Sequence, residues 1–137
     1  MSETTFVLDP RLKADTQHVA ALSLCDVLLM NDARYAWLIL VPRLAGCTEI
    51  IDLPEAGRTQ LWQEINHVAA MLRDTVPCDK LNIGALGNIV RQLHVHVVAR
   101  KEGDAAWPGP VWGNGVATPY DDAELQSIVQ RLRQALA

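Results

Sequence analysis

The sequence predicts an α+β domain in which an antiparallel sheet of about five strands packs against one long central helix and one C-terminal helix. Apolar segments of strand length occur on both sides of a long segment with helical apolar spacing. No repeated β-α-β unit is present, which disfavours a parallel sheet. A chain of 137 residues, half of them apolar and a fifth charged, can bury one sizeable core. We therefore expect residues 1–137 to form a single domain.

The first half of the chain predicts a short helix and a β-hairpin. Asp9 followed by Pro10 has the form of an N-cap and first helical residue. The apolar segment 22–30 predicts a strand, and Asn31 with Asp32 supplies turn residues. Residues 37–41, "WLILV", predict a second strand that ends at a proline.

The second half predicts a long helix, a second pair of strands and a final helix. The long helix follows Asp52, ends before Pro77 and places its apolar residues on one face, which are Leu61, Trp62, Ile65, Val68, Ala69 and Leu72. "KLNIGA" predicts a short strand, and the strict alternation over 89–100 predicts another. Residues 101–117 are rich in glycine and proline and predict a loop. Thr118-Pro119 is expected to cap the C-terminal helix, residues 119–136.

Composition excludes several classes of function. The net charge is −4 and the basic residues are scattered, so no groove for a nucleic acid polymer is expected. The N-terminus lacks the pattern of a signal peptide, and no apolar segment reaches membrane-spanning length. The three cysteines show no C-x-x-C spacing, which disfavours a disulfide framework or a zinc ribbon. A cytoplasmic protein without membrane association is the expectation.

The segment "RQLHVHVVAR" carries the most chemical information. On a strand, Gln92, His94 and His96 project from one face, and the intervening apolar residues project from the other. This polar face is either exposed sheet surface or the floor of a site. Exposed strands more often carry Thr, Lys or Glu, so two imidazoles and an amide favour a site.

Two chemistries fit such a site. His-x-His spacing can hold a metal ion, but the further ligands that a stable site needs cannot be named, since His18 lies in a linker and His67 in a helix. Phosphorus chemistry also fits, because a neutral imidazole can attack phosphorus. Glycines and asparagines in the preceding "NIGALGN" are suited to binding phosphate oxygens.

"GNIVRQLHVHVVARKEGD" resembles the signature of the histidine triad (HIT) superfamily, with Gln92, His94 and His96 at the three triad positions. "VLLMNDARYAWLILVPR" resembles that family's first hairpin, with Asn31 at the ribose-contacting position. "KLNIGALGN" resembles the segment before the triad, with Asn82 and Asn88 at phosphate-contacting positions. The resemblance covers residues 22–100.

The resemblance implies a hydrolase or nucleotidyl transferase acting on a small nucleotide. His94 would attack the α-phosphorus of a nucleoside phosphate derivative and form a nucleotidyl-histidine. His96 and the amides of Gln92, Asn82 and Asn88 would hold the phosphate, and Asn31 the ribose. A homodimer is implied. No cofactor or metal is required, although a divalent cation can accompany a polyphosphate substrate. The leaving group stays open among dinucleoside polyphosphates, phosphoramidates, aminoacyl nucleotides and nucleotide sugars.

The sequence departs from the family pattern at functional positions. Gln92 carries no positive charge, whereas a charge about 4 Å from a phosphate is worth up to about 4 kcal/mol at an effective dielectric constant of 20. Trp37 stands where several members carry a fourth histidine. These changes predict a slower or differently selective enzyme, with a catalytically weak or inactive nucleotide-binding or partner module as the alternative. Trp107 and Trp112 predict either a structural clamp for loop 101–117 or a wall of the site.

Overall fold

The computed structural model describes residues 5–137 and contains a five-stranded antiparallel sheet in the order β1-β2-β3-β5-β4. The helices are α1 (Pro10–Asp15), α2 (Glu55–Thr75) and α3 (Asp122–Leu136), with a 3-10 turn at Ile50–Asp52. The strands are β1 (Thr16–Ala21), β2 (Cys25–Met30), β3 (Ala36–Pro42), β4 (Lys80–Gly84) and β5 (Val95–Arg100). The predicted α+β class, the five strands and the two major helices are confirmed. No helix within residues 5–137 is both long and apolar enough to cross a bilayer.

One face of the sheet is covered by α2 and α3, and this layer holds the larger core. The apolar stripe of α2 packs on the inward residues of β3 and β5, including Leu38, Leu40 and Val97. Full burial of each such side chain contributes about 1.5–3 kcal/mol. Trp62 was expected to widen the apolar face of α2, and this prediction is wrong, since the residue is 49% exposed.

The opposite face of the sheet is also covered, although no long helix of the described part of the chain lies there. A second core forms from side chains of β3 and β5 with residues of α1 and the loop 101–117, among them Leu12, Trp37, Val98 and Val111. Every residue of β5 is buried as a result. The interpretation of the histidine segment as exposed sheet surface is therefore wrong.

A buried ion pair folds the loop 101–117 back onto this second face. Arg100 is 1% exposed and binds both carboxylate oxygens of Asp104 through Nε and Nη2, at 2.8 and 2.9 Å. Its guanidinium also lies over the ring of Trp107. The hydrogen bonds from Arg100 lower the pKa of Asp104 to about 2. The loop lacks regular structure, as predicted, but its start is fixed by this pair.

The edge strand β1 was not predicted, and His18 lies in it rather than in a linker. Its burial pattern is irregular and a bulge interrupts its pairing with β2, so the alternation typical of a strand is weak. Arg133 of α3 donates to the main-chain oxygens of His18 and Val19. The C-terminal helix thus caps the outer edge of this strand.

Two predicted boundaries are wrong. The strand predicted over 89–100 begins only at Val95, which pairs with Leu40 of β3, because the Leu93 amide donates to the main-chain oxygen of Cys47 outside any strand. The final helix begins at Asp122, where the Asp121 carboxylate accepts a hydrogen bond from the Glu124 amide and acts as the N-cap. The first helix does start as predicted, since the Asp9 carboxylate accepts from the Arg11 amide.

Candidate active site

His94 lies immediately before β5 and is held in one orientation by its own backbone neighbourhood. Its Nδ1 is 2.6 Å from the main-chain oxygen of Gln92. Because a carbonyl oxygen only accepts hydrogen bonds, Nδ1 must carry the proton. The lone pair of the neutral ring is then on Nε2. The residue is 6% exposed and lines a cavity of about 250 Å³.

His96 is fixed in a complementary way by Trp37. The indole Nε1 of Trp37 donates to Nδ1 of His96 at 3.0 Å, so the proton of the neutral imidazole is on Nε2. His96 is 5% exposed. Burial, with a smaller contribution from the neighbouring His94, lowers the pKa of His96 to about 3. His96 is therefore a neutral hydrogen-bond donor at ordinary pH.

The two imidazoles lie side by side within an aromatic enclosure. Their ring centroids are 4.9 Å apart in an edge-to-face arrangement. Trp37 and Trp112 approach His96 with centroid distances of 5.7 and 5.3 Å. A Cβ on Gly84 would lie 3.3 Å from the Trp112 ring, so the glycine allows this close approach. Loop 101–117 thus contributes a wall beside the histidines and is more than a clamp.

The side chain of Gln92 is bound by the N-terminal segment. Its Oε1 accepts from the Asp9 amide at 2.9 Å, and its Nε2 donates to the Val7 main-chain oxygen at 2.9 Å. Gln92 also lines the cavity beside His94. Its side-chain amide therefore already has two protein partners, whereas the sequence had predicted a phosphate ligand.

The three asparagines predicted to bind substrate are not gathered around His94. Asn31 lines a different cavity, of about 450 Å³, and its Oδ1 accepts from the Tyr120 amide. Asn82 accepts from Nη1 of Arg100 at 2.8 Å. Asn88 is exposed after the turn at Gly87. Their roles toward substrate stay predictions.

The comparison with family models identifies the protein family to which this chain belongs. The model of the HIT domain matches residues 11–103, more than half of the chain. The chain belongs to the HIT family. Proteins of this family are generally nucleotide-binding hydrolases or transferases.

Solved structures of HIT proteins agree with this assignment along nearly the whole chain. A histidine triad protein from Bradyrhizobium japonicum is 48% identical, with a TM-score of 0.95 over 98% of this chain and 100% of that one. One from Sinorhizobium meliloti is 50% identical, with a TM-score of 0.93 over 96% and 97%. A third, from Marinobacter aquaeolei, is 43% identical, with a TM-score of 0.95 over 97% of both chains. No protein of curated function matches the chain.

Sequence reasoning about this HIT chain missed the residues that shape the Asn31 cavity. Asp32 is buried and accepts from Nε and Nη2 of Arg34 and from the Thr118 amide. Despite the cost of burial, the hydrogen bonds from Arg34 and from Thr118 hold the pKa of Asp32 below its usual value. Arg34 also donates to the Asn114 main-chain oxygen, which draws the end of the loop over the cavity. The turn signal at Asn31 and Asp32 was visible in the sequence, but its partners more than eighty residues away were not.

Among the residues that the structure describes, no further metal ligand joins the two histidines. Within residues 5–137, no group of three or more His, Cys, Asp or Glu side chains is placed to hold a metal ion. His18 lies on the edge strand beside Asp26, and His67 lies on the exposed face of α2. The hypothesis of a metal site built on His94 and His96 therefore finds no additional donor among these residues.

Proposed function

We propose that the protein is a nucleotide-binding HIT hydrolase or nucleotidyl transferase that forms a nucleotidyl-histidine at Nε2 of His94. The observation that carries this proposal is the 2.6 Å contact between Nδ1 of His94 and the Gln92 main-chain oxygen. A carbonyl only accepts hydrogen bonds, so Nδ1 carries a proton, and in the neutral imidazole the lone pair that can attack is on Nε2.

In the proposed reaction, the Nε2 lone pair of His94 forms a bond to the α-phosphorus while the bond to the leaving group breaks. The leaving group departs with the bonding electrons and takes a proton from solvent. The nucleotidylated ring keeps its Nδ1 proton and carries a positive charge, which the Gln92 carbonyl stabilises. Water, or another acceptor, then attacks the phosphorus, loses a proton to solvent and releases His94.

His96 acts in this reaction as a hydrogen-bond donor to a non-bridging phosphate oxygen. Trp37 holds its Nδ1, so Nε2–H is the group available to the phosphate. A pKa of about 3 means that His96 is not an imidazolium acid near neutral pH. An uncharged donor here, with glutamine at the first triad position, makes a site with less positive charge than three histidines would supply.

We propose that the substrate spans the two cavities. We assign the ribose to Asn31, in the cavity that also holds Asp32 and Arg34, and the phosphate to the region of His94 and His96. Asn82 keeps its amide N–H groups, since only its oxygen is bound to Arg100, and Asn88 has an exposed amide. Both remain candidates for phosphate contact.

The cavity beside His94 favours an uncharged leaving group. It is lined by Thr48, Glu49, Ile50, Ile51, Ala85, Leu86, Gly87, Gln92, Leu93 and His94. This lining includes no lysine or arginine, and its only ordinarily charged side chain is a carboxylate. A polyphosphate leaving group would meet like charge there, and a divalent cation would be needed to offset it.

A binding module with little turnover is the second candidate, and two observations favour it. Trp112 lies against His96, and the Gln92 amide is engaged by the protein itself.

We also propose a homodimer, since the outer edge of β4 carries no strand within the described residues and its Ile83 is half-exposed. Light scattering of the purified protein tests the dimer. A cytoplasmic location stays a prediction.

The test of the proposed function is to trap the intermediate. Protein is mixed with a nucleoside phosphoramidate, an aminoacyl nucleotide, a dinucleoside polyphosphate or a nucleotide sugar, quenched, and mapped by mass spectrometry under basic conditions. We expect a nucleotide-sized mass gain on His94 that is absent from His94→Ala and present in His67→Ala, a control on the exposed face of α2. Nucleotide binding without adduct or product from any substrate would favour the binding module instead.

A further inference from the structure

The side chain of Gln92 connects the support of His94 to a distant part of the site. We propose that Gln92 is a positioning residue. By binding the N-terminal segment 5–9, its side chain fixes the orientation of His94 and keeps the wall of the Asn31 cavity in place. This inference rests on the proposed function of the site and assigns Gln92 a role other than that of a weakened triad member.

The first step is the attachment of the N-terminal segment. The Gln92 amide accepts from the Asp9 N–H and donates to the Val7 carbonyl, two groups that flank Leu8. The side chain thus pairs with the segment as a neighbouring strand would. Leu8 and Phe6 are partly buried and pack on the core that contains Trp37, so the segment lies against the sheet face that carries His96.

The second step leads from this attachment to the Asn31 cavity. The residue bound by Gln92, Asp9, is also the N-cap of α1. At the other end of that short helix, the Asp15 main-chain oxygen accepts from the Asn31 amide at 2.9 Å. Ala14 and Asp15 line the cavity with Asn31. A continuous chain of hydrogen bonds and helix therefore runs from Gln92 to the proposed ribose site.

The third step is the effect on the nucleophile. The main-chain oxygen of Gln92 orients His94, so a side chain fixed at its far end restricts the peptide that holds the imidazole. A histidine at position 92 cannot repeat this attachment. The two ring nitrogens point in divergent directions, whereas the amide offers an acceptor and a donor side by side. Replacing Gln92 with histidine should therefore weaken the site although it restores the family's residue.

The experiment compares Gln92→Met, Gln92→His and the control Gln63→Met, which changes an exposed glutamine of α2 in the same way. Methionine keeps the length of the side chain and removes both hydrogen bonds. Three properties are measured in the full chain: amide hydrogen exchange over residues 6–15, the tautomer of His94 by ¹⁵N NMR, and the single-turnover rate of adduct formation with its KM.

For both Gln92 variants we expect exchange over 6–15 to accelerate at least about tenfold, as for the loss of two hydrogen bonds. His94 should lose its pure Nδ1–H tautomer. The adduct rate should fall and KM should rise together, while the control stays at wild-type values. A purely structural tether would change exchange without changing the tautomer or the rate.

Three results would overturn the inference: wild-type exchange in Gln92→Met, a wild-type tautomer and rate despite faster exchange, or a faster reaction in Gln92→His. Gln92→Glu, which keeps the acceptor for Asp9 and loses the donor to Val7, replaces Gln92→Met if that variant does not fold. If the wild-type protein forms no adduct, the proposed function fails, but exchange and tautomer still decide the role of Gln92.

Discussion

Trp37→Phe tests whether the indole N–H holds His96 as a neutral donor. Trp37 is buried, and its Nε1–H is the hydrogen-bond donor to Nδ1 of His96 at 3.0 Å. Phenylalanine keeps an aromatic ring at the position but leaves a buried nitrogen unpaired, which costs about 1–3 kcal/mol. The smaller ring adds about 1 kcal/mol of lost apolar burial at about 25 cal/mol/Å². We therefore expect the free energy of unfolding to fall by about 2–4 kcal/mol.

The assay combines denaturant unfolding with ¹⁵N NMR of labelled histidines. Trp62→Phe is the matched control, because Trp62 is half-exposed on α2 and its substitution should change stability by less than about 0.5 kcal/mol. In Trp37→Phe, the His96 ring should show both tautomers instead of Nε2–H alone. The reasoning is refuted if Trp37→Phe is as stable as Trp62→Phe and His96 remains wholly Nε2–H.

Three further predictions concern acid stability and buried charge. In the unfolded chain His96 binds a proton below about pH 6.5, whereas in the native protein it does so only near pH 3, so the free energy of unfolding should fall by up to about 1.4 kcal/mol per pH unit between these values. Denaturant unfolding at pH 7 and at pH 5 should therefore show a smaller loss of stability in His96→Asn than in wild type. Asp104→Asn leaves the buried Arg100 guanidinium without its carboxylate partner and should lower the free energy of unfolding by about 3–5 kcal/mol, whereas the double variant Arg100→Met with Asp104→Leu should recover much of this loss. Equal stability of the single and double variants in thermal or denaturant unfolding would contradict this prediction. The buried Glu64 carboxylate accepts hydrogen bonds from the main-chain amides of Leu24 and Cys25, one on each oxygen. Glu64→Gln leaves only one acceptor oxygen and should lower the free energy of unfolding by about 1–3 kcal/mol, which an unchanged denaturation midpoint would contradict.

The fold was predictable where side-chain spacing alone decides the structure. The apolar period of α2 and the apolar segments of β2 and β3 are local signals, and each of these three elements lies within a few residues of its predicted position. β5 was predicted too long because alternation reports which face a residue occupies and not whether a partner strand is present. His94 and His96 were also recognisable from local sequence, because residues two apart in an extended segment lie on the same face.

The state of the candidate site was not predictable, because it depends on contacts between remote residues. The tautomer of His96 follows from Trp37, which is 59 residues away, and the engagement of Gln92 follows from Val7, which is 85 residues away. Trp112 reaches His96 from a loop that Arg100 holds near its start and Arg34 holds near its end. No local pattern encodes these partners, so the sequence indicated the chemistry of the site but not its hydrogen bonding.

The Arg133 cap on β1 has a consequence for synthesis of the chain. During translation β1 emerges early, whereas the guanidinium that binds the His18 and Val19 carbonyls follows 115 and 114 residues later. Until then the outer edge of this strand presents free backbone groups to any other nascent strand. Ribosome-bound chains that end before α3 should therefore aggregate more readily than chains that include it, because α3 protects a strand that is made 114 residues earlier.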